Sequence, residues 1–195
     1  MTDTVRITLK LIAGFMDYPG TPAFKQRVHD RYPIAQECCP ELAKMLEVWQ
    51  DNWDRLEEAY VATFDLSETA ALYLTAHEFG DSRARGPALI QIGQLLSDAG
   101  YGVALGELPD YLPLLIEWLA VSPDSKSLEL KDRVAAVAQK ILQVLTDGHP
   151  YRPLFVMLNE ALGGGGSPLS ADVGERPDLD DLPFPLEFTS WGGAL

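Results

Sequence analysis

The stretch LAKMLEVWQDNWDRLEEAY, residues 42–60, is the part of the sequence that decides the fold. Its large apolar side chains recur at steps of four, three, four, three and four, at Leu42, Leu46, Trp49, Trp53, Leu56 and Tyr60. This spacing places them on one face of an α-helix, and acidic residues fill the positions between them. The pattern predicts a single helix of about six turns whose apolar stripe faces a core.

Helical spacing continues toward the N-terminus. From Val5 to Met16, apolar residues recur every three or four positions, which predicts a first helix. Thr21 followed by Pro22 is typical of an N-cap with proline in the first helical turn. These two residues are expected to open a short helix that runs through His29.

Downstream of residue 60, turn residues separate further helical patterns. Ser67 is expected to cap a helix that Gly80 ends, and Asp81 or Ser82 to cap a helix that Gly100 ends. Three more helices are predicted: one within residues 107–120, one after residue 124 that ends at Gly148, and one over 151–162. Because strand-like alternation is almost absent, we predict an all-α, single-domain helical bundle over residues 1–162.

The composition changes abruptly at residue 163. Residues 163–195 hold six acidic residues, one basic residue and four prolines, which indicates a Gly/Pro-rich, flexible acidic C-terminal tail. This tail also contains an apolar patch, formed by Leu182, Phe184, Leu186, Phe188 and Trp191. Two interpretations stay open, plain disorder and docking of the patch on the bundle or on a partner.

The charge balance narrows the choice of partner. Fifteen Lys and Arg residues stand against 29 Asp and Glu residues, a formal net charge of −14. Such a surface repels nucleic acid and anionic membrane surfaces and attracts basic partners, although solubility alone also explains it. No apolar run is long enough to span a membrane, and the N-terminus does not resemble an export signal, so we expect a cytoplasmic protein without direct membrane binding.

The two cysteines, Cys38 and Cys39, are adjacent in the sequence. Their Cα atoms are about 3.8 Å apart, which is below the usual disulfide range of about 4.4–6.8 Å. Without a second pair of cysteines, neither a disulfide framework nor a zinc site is expected. We predict two reduced thiols and no metal site.

Motifs for catalysis are missing almost everywhere, so no catalytic residue is predicted. No phosphate-binding glycine loop and no GxSxG nucleophile motif occurs. The single alternative is a metal-dependent hydrolase that uses His77, Glu78 and Asp81, in which Asp81 stands where the helical zinc motif requires a second histidine.

Three pieces between Tyr60 and Ala120 are more specific. They are Phe64-Asp65-Leu66, the YLTxHxxGDSRxRG block from Tyr73 to Gly86, and ELPDYLP over residues 107–113. Their order and spacing resemble the NarJ branch of the TorD/DmsD superfamily, the chaperones dedicated to molybdenum oxidoreductases. The resemblance covers about a third of the chain.

This resemblance implies an all-helical fold that performs no chemistry of its own. Members of the family bind the basic N-terminal leader of the catalytic subunit of a respiratory nitrate reductase or a related molybdenum oxidoreductase. They assist insertion of the molybdenum cofactor and of iron–sulfur clusters before the enzyme attaches to the membrane. No permanently bound cofactor is implied.

Carried over by position, the resemblance implies a client-peptide-binding site near the tyrosine block and the acidic-proline motif. The implied residues are Asp65, Leu66, Tyr73, His77, Asp81, Glu107, Leu108, Asp110 and Tyr111. Arg83 and Arg85 are assigned a structural or interface role, because a site for basic leaders gains nothing from its own positive charge. Tyr111 stands where other branches place a histidine, a feature that NarJ-type members share.

A third interpretation is a structural or regulatory bundle that forms a homodimer. In that case the apolar stripe of residues 42–60 is the seam between two copies.

Overall fold

The computed structural model describes residues 2–104, 106–122 and 126–163. These residues form nine α-helices and one π-helical turn, Val61–Asp65, and contain no β-strand. The helices are α1 (Asp3–Phe15), α2 (Pro22–Cys38), α3 (Pro40–Asp51), α4 (Trp53–Tyr60), α5 (Leu74–Phe79), α6 (Arg85–Asp98), α7 (Leu112–Val121), α8 (Lys126–Val144) and α9 (Arg152–Ala161). The prediction of an all-α bundle is therefore confirmed.

Helix α1 lies at the centre of the bundle. Its side chains Leu9, Ile12 and Phe15 are completely buried. It packs against α7 along most of its length and also contacts α2 and α9. Burial of three such side chains contributes about 1.5–3 kcal/mol each, so the apolar spacing that predicted α1 also fixes its place in the core.

An aromatic cluster joins α3 to the start of α9. The ring centroids of Trp49 and Tyr151 are 5.0 Å apart, and the Trp49 indole N–H donates to the backbone carbonyl of Pro150 at 3.0 Å. Phe64, in the π-helical turn, lies edge-on to Tyr151 at 5.1 Å. The turn is thus anchored to the core through aromatic contacts.

The prediction of one helix over residues 42–60 is wrong, because α3 ends at Asp51 and α4 begins at Trp53. Between them Asn52 has φ −154° and ψ 82°, and its side chain accepts a hydrogen bond from the Arg55 amide at 3.0 Å. As an N-cap residue, Asn accepts from a backbone N–H of the first turn that otherwise lacks a partner. Within a helix its short side chain competes with the backbone hydrogen bonds. The helix is therefore interrupted and restarted.

The apolar stripe of residues 42–60 nevertheless faces the core of the same chain. Leu42, Leu46, Trp49 and Leu56 are at most 1% exposed, and Tyr60 is buried as well. Only Trp53 is partly exposed, at the break between the two helices. The interpretation of this stripe as a dimer seam is wrong, since no other copy is needed to cover it.

One boundary of α2 also differs from the prediction. Helix α2 begins at Pro22 with Thr21 as its N-cap, as predicted, but it runs to Cys38 rather than to His29. It continues past Pro33 because Val28 and Ala35, on either side of that proline, are both completely buried.

Ser67 does not cap a helix, since its hydroxyl lies against that of Thr69 at 2.9 Å. Helix α5 begins only at Leu74 because the preceding backbone pairs with the chain before α7. Gly80 ends α5 with a φ of +53°, which glycine adopts without steric cost. Helix α6 begins at Arg85, whereas an N-cap at Asp81 or Ser82 had predicted an earlier start.

The remaining predictions concern the cysteines and the tail. Cys38 and Cys39 are free thiols, as expected. Helix α9 ends at Ala161, and Gly163 is the last described residue, so the predictions for the acidic tail lie outside the described residues. Among the helices of the described ranges, none is long and apolar enough to cross a membrane.

The break at Asn52 generates a stability prediction. Replacing Asn52 with Ala removes the acceptor for the Arg55 amide, and we expect the free energy of unfolding to fall by about 1 kcal/mol. Urea unfolding followed by circular dichroism measures the change. The neighbouring Asp51→Ala, which removes an exposed side chain, should change stability by less than about 0.5 kcal/mol. Equal losses in the two variants would contradict a capping role.

Candidate client-binding site

The tyrosine block and the acidic-proline motif meet at a short antiparallel bridge between Tyr73 and Tyr111. The Leu74 amide donates to the Asp110 carbonyl at 2.9 Å, and the Leu112 amide donates to the Leu72 carbonyl at the same distance. Tyr73 and Tyr111, which are more than 30 residues apart in sequence, thus bring the two motifs onto one face of the molecule.

Asp110 is completely buried directly behind this bridge. One oxygen of its carboxylate accepts from the Thr75 amide at 3.0 Å and from the Thr75 hydroxyl. The Thr75 hydroxyl in turn accepts from Nε of Arg85 at 3.1 Å. The second carboxylate oxygen has no hydrogen-bond partner among the described residues. The carboxylate therefore ties α5 and α6 to the segment before α7, and solvent does not reach it.

Glu107 positions the side chain of Tyr73. One of its carboxylate oxygens accepts from the Tyr73 hydroxyl at 3.1 Å and from the Leu108 amide at 2.9 Å. Burial, together with the nearby Glu107 carboxylate, raises the pKa of Tyr73 to about 12. Tyr73 is therefore a neutral hydrogen-bond donor at physiological pH.

Four tyrosines form a continuous row, which we call the tyrosine row: Tyr18, Tyr60, Tyr111 and Tyr73. The Tyr18 and Tyr60 rings are 5.6 Å apart, and the Tyr111 and Tyr73 rings are 5.5 Å apart. Tyr60 and Tyr111 lie close enough to influence each other's pKa. Burial raises the pKa of Tyr60 and Tyr111 far above the ordinary tyrosine value. The row is built of tyrosine rings drawn from four separate parts of the chain, and Tyr60 is its buried member.

Carboxylates surround this row. We call them the acidic rim: Asp17, Glu57, Asp65 and Glu107. Glu57 accepts a hydrogen bond from Tyr18, and the charges of Asp17 and Asp65 both contribute to the raised pKa of Tyr60. Asp17 is also paired with Arg27. The rim therefore gives the tyrosine row a negative border.

Two exposed leucines, Leu66 and Leu108, directly follow the rim residues Asp65 and Glu107 in the sequence. Leu66 is 78% exposed and Leu108 is 41% exposed. Leu66 follows the π-helical turn, and such turns occur frequently at functional sites. An exposed leucine on its own needs no explanation, but two beside a tyrosine row mark a surface suited to an apolar partner.

The arrangement required for a hydrolase is not formed. Glu78 makes a bidentate ion pair with Arg133, with N–O distances of 2.8 and 2.7 Å. His77 Nε2 lies 2.7 Å from the Ala71 carbonyl, and Asp81 is exposed. In the parts of the chain that the structure describes, no three His, Cys, Asp or Glu side chains are placed to hold a metal ion.

The predicted site residues therefore separate into groups. Asp65, Leu66, Glu107, Leu108, Tyr73 and Tyr111 lie together at the tyrosine row. Burial lowers the pKa of His77, whose Nε2 lies against the Ala71 carbonyl. Arg85 donates from Nε to the Thr75 hydroxyl, and Arg83 is exposed.

Sequence reasoning missed Thr75, Arg133, Tyr18 and Glu57. Thr75 is the third residue of the tyrosine block, but it was not among the site residues that the resemblance implied. Tyr18 and Glu57 come from distant segments, so only the folded chain brings them to the tyrosine row.

His149 holds the π-helical turn from the other side. Its Nδ1 accepts from the Tyr151 amide at 3.3 Å, and its Nε2 lies 2.9 Å from the Thr63 hydroxyl. Because Nδ1 accepts, the neutral ring carries its proton on Nε2. Burial lowers the pKa of His149, so the neutral form is the one that supports the turn.

An all-helical bundle with tyrosines, exposed leucines and carboxylates on the face that carries its motifs has the construction of a protein-binding chaperone. The family model described as "Nitrate reductase delta subunit" matches residues 32–156. The chain belongs to this family and is a NarJ-type chaperone of the TorD/NarJ superfamily.

Individual relatives agree with this family. The chain is 33% identical, over 84% of its length and 70% of the relative's, to an Escherichia coli K12 protein described as nitrate reductase molybdenum cofactor assembly chaperone NarW. It is 26% identical to E. coli NarJ, over 78% of its length and 68% of that protein's. Relatives described as assembly chaperones confirm the prediction that the chain is not an enzyme.

A solved structure supports the fold. The crystal structure described as a redox enzyme maturation protein from Archaeoglobus fulgidus superimposes with a TM-score of 0.64. The match covers 80% of this chain and 93% of that chain at 21% sequence identity. At this level of identity the similarity establishes the fold of the bundle.

The buried carboxylate generates a second stability prediction. Thr75→Val keeps the shape of the side chain but removes the hydroxyl that donates to Asp110 and accepts from Arg85. Because the buried Asp110 carboxylate loses one of its donors and the half-buried Arg85 loses its acceptor, we expect the free energy of unfolding to fall by about 1–3 kcal/mol. Urea unfolding at pH 7 measures this loss. Thr146→Val, at an exposed threonine, should leave the midpoint nearly unchanged, and an equally small effect at Thr75 would contradict the proposed network.

The histidine at the π-helical turn predicts a pH dependence. Since the pKa of His149 is lower in the folded state than in the unfolded chain, its contribution to stability is present above about pH 6.5 and is lost as the pH falls through the folded-state pKa. His149→Gln should therefore destabilise the protein more at pH 7.5 than at pH 5.

Denaturant unfolding of the parent and His149→Gln at both pH values measures this difference. Thr63→Val serves as a control, because it removes a hydrogen-bond partner but keeps the imidazole, so it should keep the pH dependence of the parent protein. If the difference between parent and His149→Gln is the same at both pH values, the histidine does not titrate as argued.

Proposed function

We propose that this chain is the dedicated maturation chaperone of a respiratory nitrate reductase or a related molybdenum oxidoreductase. It binds the basic N-terminal leader of the apo catalytic subunit across the tyrosine row. While bound in the cytoplasm, it keeps the client open for insertion of the molybdenum cofactor and iron–sulfur clusters, before membrane attachment. The observation that carries the proposal is the exposure of Leu66 and Leu108 beside the acidic rim.

The relatives support the choice of client. Both E. coli relatives are described as nitrate reductase molybdenum cofactor assembly chaperones. A segment of 67 residues is also 40% identical to part of the Mycobacterium tuberculosis protein described as nitrate reductase-like protein NarX, of which it covers 10%. In this proposal the molybdenum cofactor is cargo for the client, and the chain holds no cofactor permanently.

The physical properties of the face match a basic, apolar peptide. A leader leucine buried against Leu66 or Leu108 contributes about 1.5–3 kcal/mol. An arginine above a tyrosine ring contributes about 0.5–2 kcal/mol, and a pair with an exposed rim carboxylate about 0–1 kcal/mol. Apolar contacts therefore provide most of the affinity, and the acidic rim attracts and orients the leader.

Asp110 has a different role from the one that its motif suggests. A fully buried carboxylate that accepts from Thr75 is unable to pair with a leader arginine at the surface. We assign it as a positioning residue, which holds Tyr73 and Tyr111 in the bridge. Substituting it would test the fold of the face rather than contact with the client.

The exposed residues provide the test of leader binding. Isothermal titration of a synthetic leader peptide, from the nitrate reductase catalytic subunit of the same organism, should show binding to the unmodified chain. Leu66→Ser should weaken it about 10- to 100-fold, because the loss of one buried leucine costs about 1.5–3 kcal/mol. Asp65→Lys should weaken it less, with an effect that declines as salt is raised.

Matched controls separate contact from general damage. Val48→Ser removes a similarly exposed apolar side chain (65% exposed) on α3, and Glu37→Lys reverses an exposed charge on α2. Both should bind the leader like the parent protein. Unchanged affinity in Leu66→Ser and Asp65→Lys would show that the leader does not bind at the tyrosine row. If the parent protein does not bind the leader at all, the proposed function is wrong.

A further inference from the structure

A second surface with different chemistry lies where α2 begins, against the junction of α3 and α4. It is an open pocket of about 500 Å³, bounded on one side by Pro22, Lys25 and His29 and on the other by Gln50 and Trp53. None of these residues belongs to the tyrosine row or the acidic rim. The pocket therefore requires a separate explanation.

The pocket combines an aromatic ring with positive charge. The Lys25 ammonium lies 5.4 Å from the centre of the Trp53 ring, and Phe24 supports that ring edge-on from the core. The nearby Arg27 is already paired with Asp17, which leaves Lys25 as the cation at the pocket wall. In a chain of formal charge −14, such a site favours an anionic segment with groups that pack on an indole.

We propose that residues 177–188 of this same chain, PDLDDLPFPLEF, dock in this pocket. These residues lie outside the described part of the chain. Proline-rich segments are preorganised to bind grooves lined with aromatic rings, because a proline ring packs flat on an indole at little entropic cost. The four acidic residues in the segment match the charge of Lys25. The proposal does not depend on the proposed function.

The length of the chain after the last helix is sufficient. Helix α9 runs antiparallel to α3, since Met157 lies 3.7 Å from Cys39 before α3, while the Pro150 carbonyl accepts from Trp49 near the end of α3. Gly163 therefore lies at the opposite end of α3 from the pocket. Twelve helical residues span about 18 Å, and the 14 residues from 163 to 177 reach up to about 46 Å.

Electrostatics also disfavour the tyrosine row as the place where this segment binds. The acidic rim would repel a segment that carries four carboxylates and no basic residue. The same rim attracts a basic leader. The two surfaces therefore accept partners of opposite charge. The acidic segment 177–188 fits the pocket beside Trp53.

Amide hydrogen exchange of the full chain, read by mass spectrometry, tests this docking. We expect the amides of 178–188 to exchange on the order of tenfold more slowly in the full chain than in a free peptide of the same sequence. Lys25→Glu and Trp53→Ala should both remove that protection. Lys44→Glu, at an exposed lysine of α3, should retain it.

Reversing the charges of both partners shows whether a loss of protection comes from the lost ion pair or from damage to the fold. Lys25→Glu combined with Asp180→Lys and Asp181→Lys should restore the protection that Lys25→Glu alone removes. The proposal is overturned if residues 178–188 exchange like the free peptide in the unmodified chain, or if Lys25→Glu and Trp53→Ala leave their protection intact. Protection that rises with protein concentration would also overturn it, because the occupant would then be the tail of a second copy.

Discussion

The buried carboxylate of Asp110 is the constraint on which the arrangement of the binding face depends. Removing a carboxylate from water costs several kcal/mol unless donors replace the lost hydration. Thr75 supplies two donors, from its amide and its hydroxyl, and Arg85 bonds to the same hydroxyl. The bridge between Tyr73 and Tyr111 forms beside this network. Tyr111 directly follows Asp110, and the Leu74 amide, which donates to the Asp110 carbonyl, directly follows Tyr73.

This constraint separates residues that hold the face from residues that are free to contact a partner. Asp110 and Glu107 stand three positions apart in one motif, yet one is completely buried and the other borders the tyrosine row. Glu78 is similarly occupied, by the bidentate pair with Arg133. Asp110 and Glu107 thus carry the same chemical group but have different roles. Their solvent exposure distinguishes them.

Much of the fold was predictable because several helices are long and their apolar residues are regularly spaced. The side chains Leu130, Val134, Val137 and Ile141 of α8 are all buried, as their spacing predicted. The failures occurred where another interaction competed with the helix. Asn52 caps a new helix through its own side chain, and the segment before α5 pairs with residues near 110 instead of continuing a helix. Periodicity carries no information about either interaction.

The motif resemblance implied residues that are neighbours in the folded chain, but it did not predict the surroundings of each one. The motif resemblance brought Tyr73, Glu107 and Tyr111 to attention, and the structure places them together. The motif resemblance gave no indication that Asp110 is buried, because burial depends on the packing of α5, α6 and α7 rather than on the motif itself. Tyr18 and Glu57 were unpredictable for a related reason, since they reach the row from segments that are distant in sequence.

The tyrosine row is also continuous with the aromatic core, and this continuity affects how the chain binds a partner. Tyr60 lies 5.9 Å from Tyr151 and 5.2 Å from Phe64, ring centre to ring centre, so the base of the row packs on the cluster around Trp49. A row fixed in this way loses little conformational entropy on binding, whereas an unstructured leader loses most of its own. In the proposed complex the ordering cost falls mainly on the leader, so an alternative partner within the folded client competes effectively with the tyrosine row. A rigid face and a disordered ligand therefore suit a chaperone that must eventually release its client.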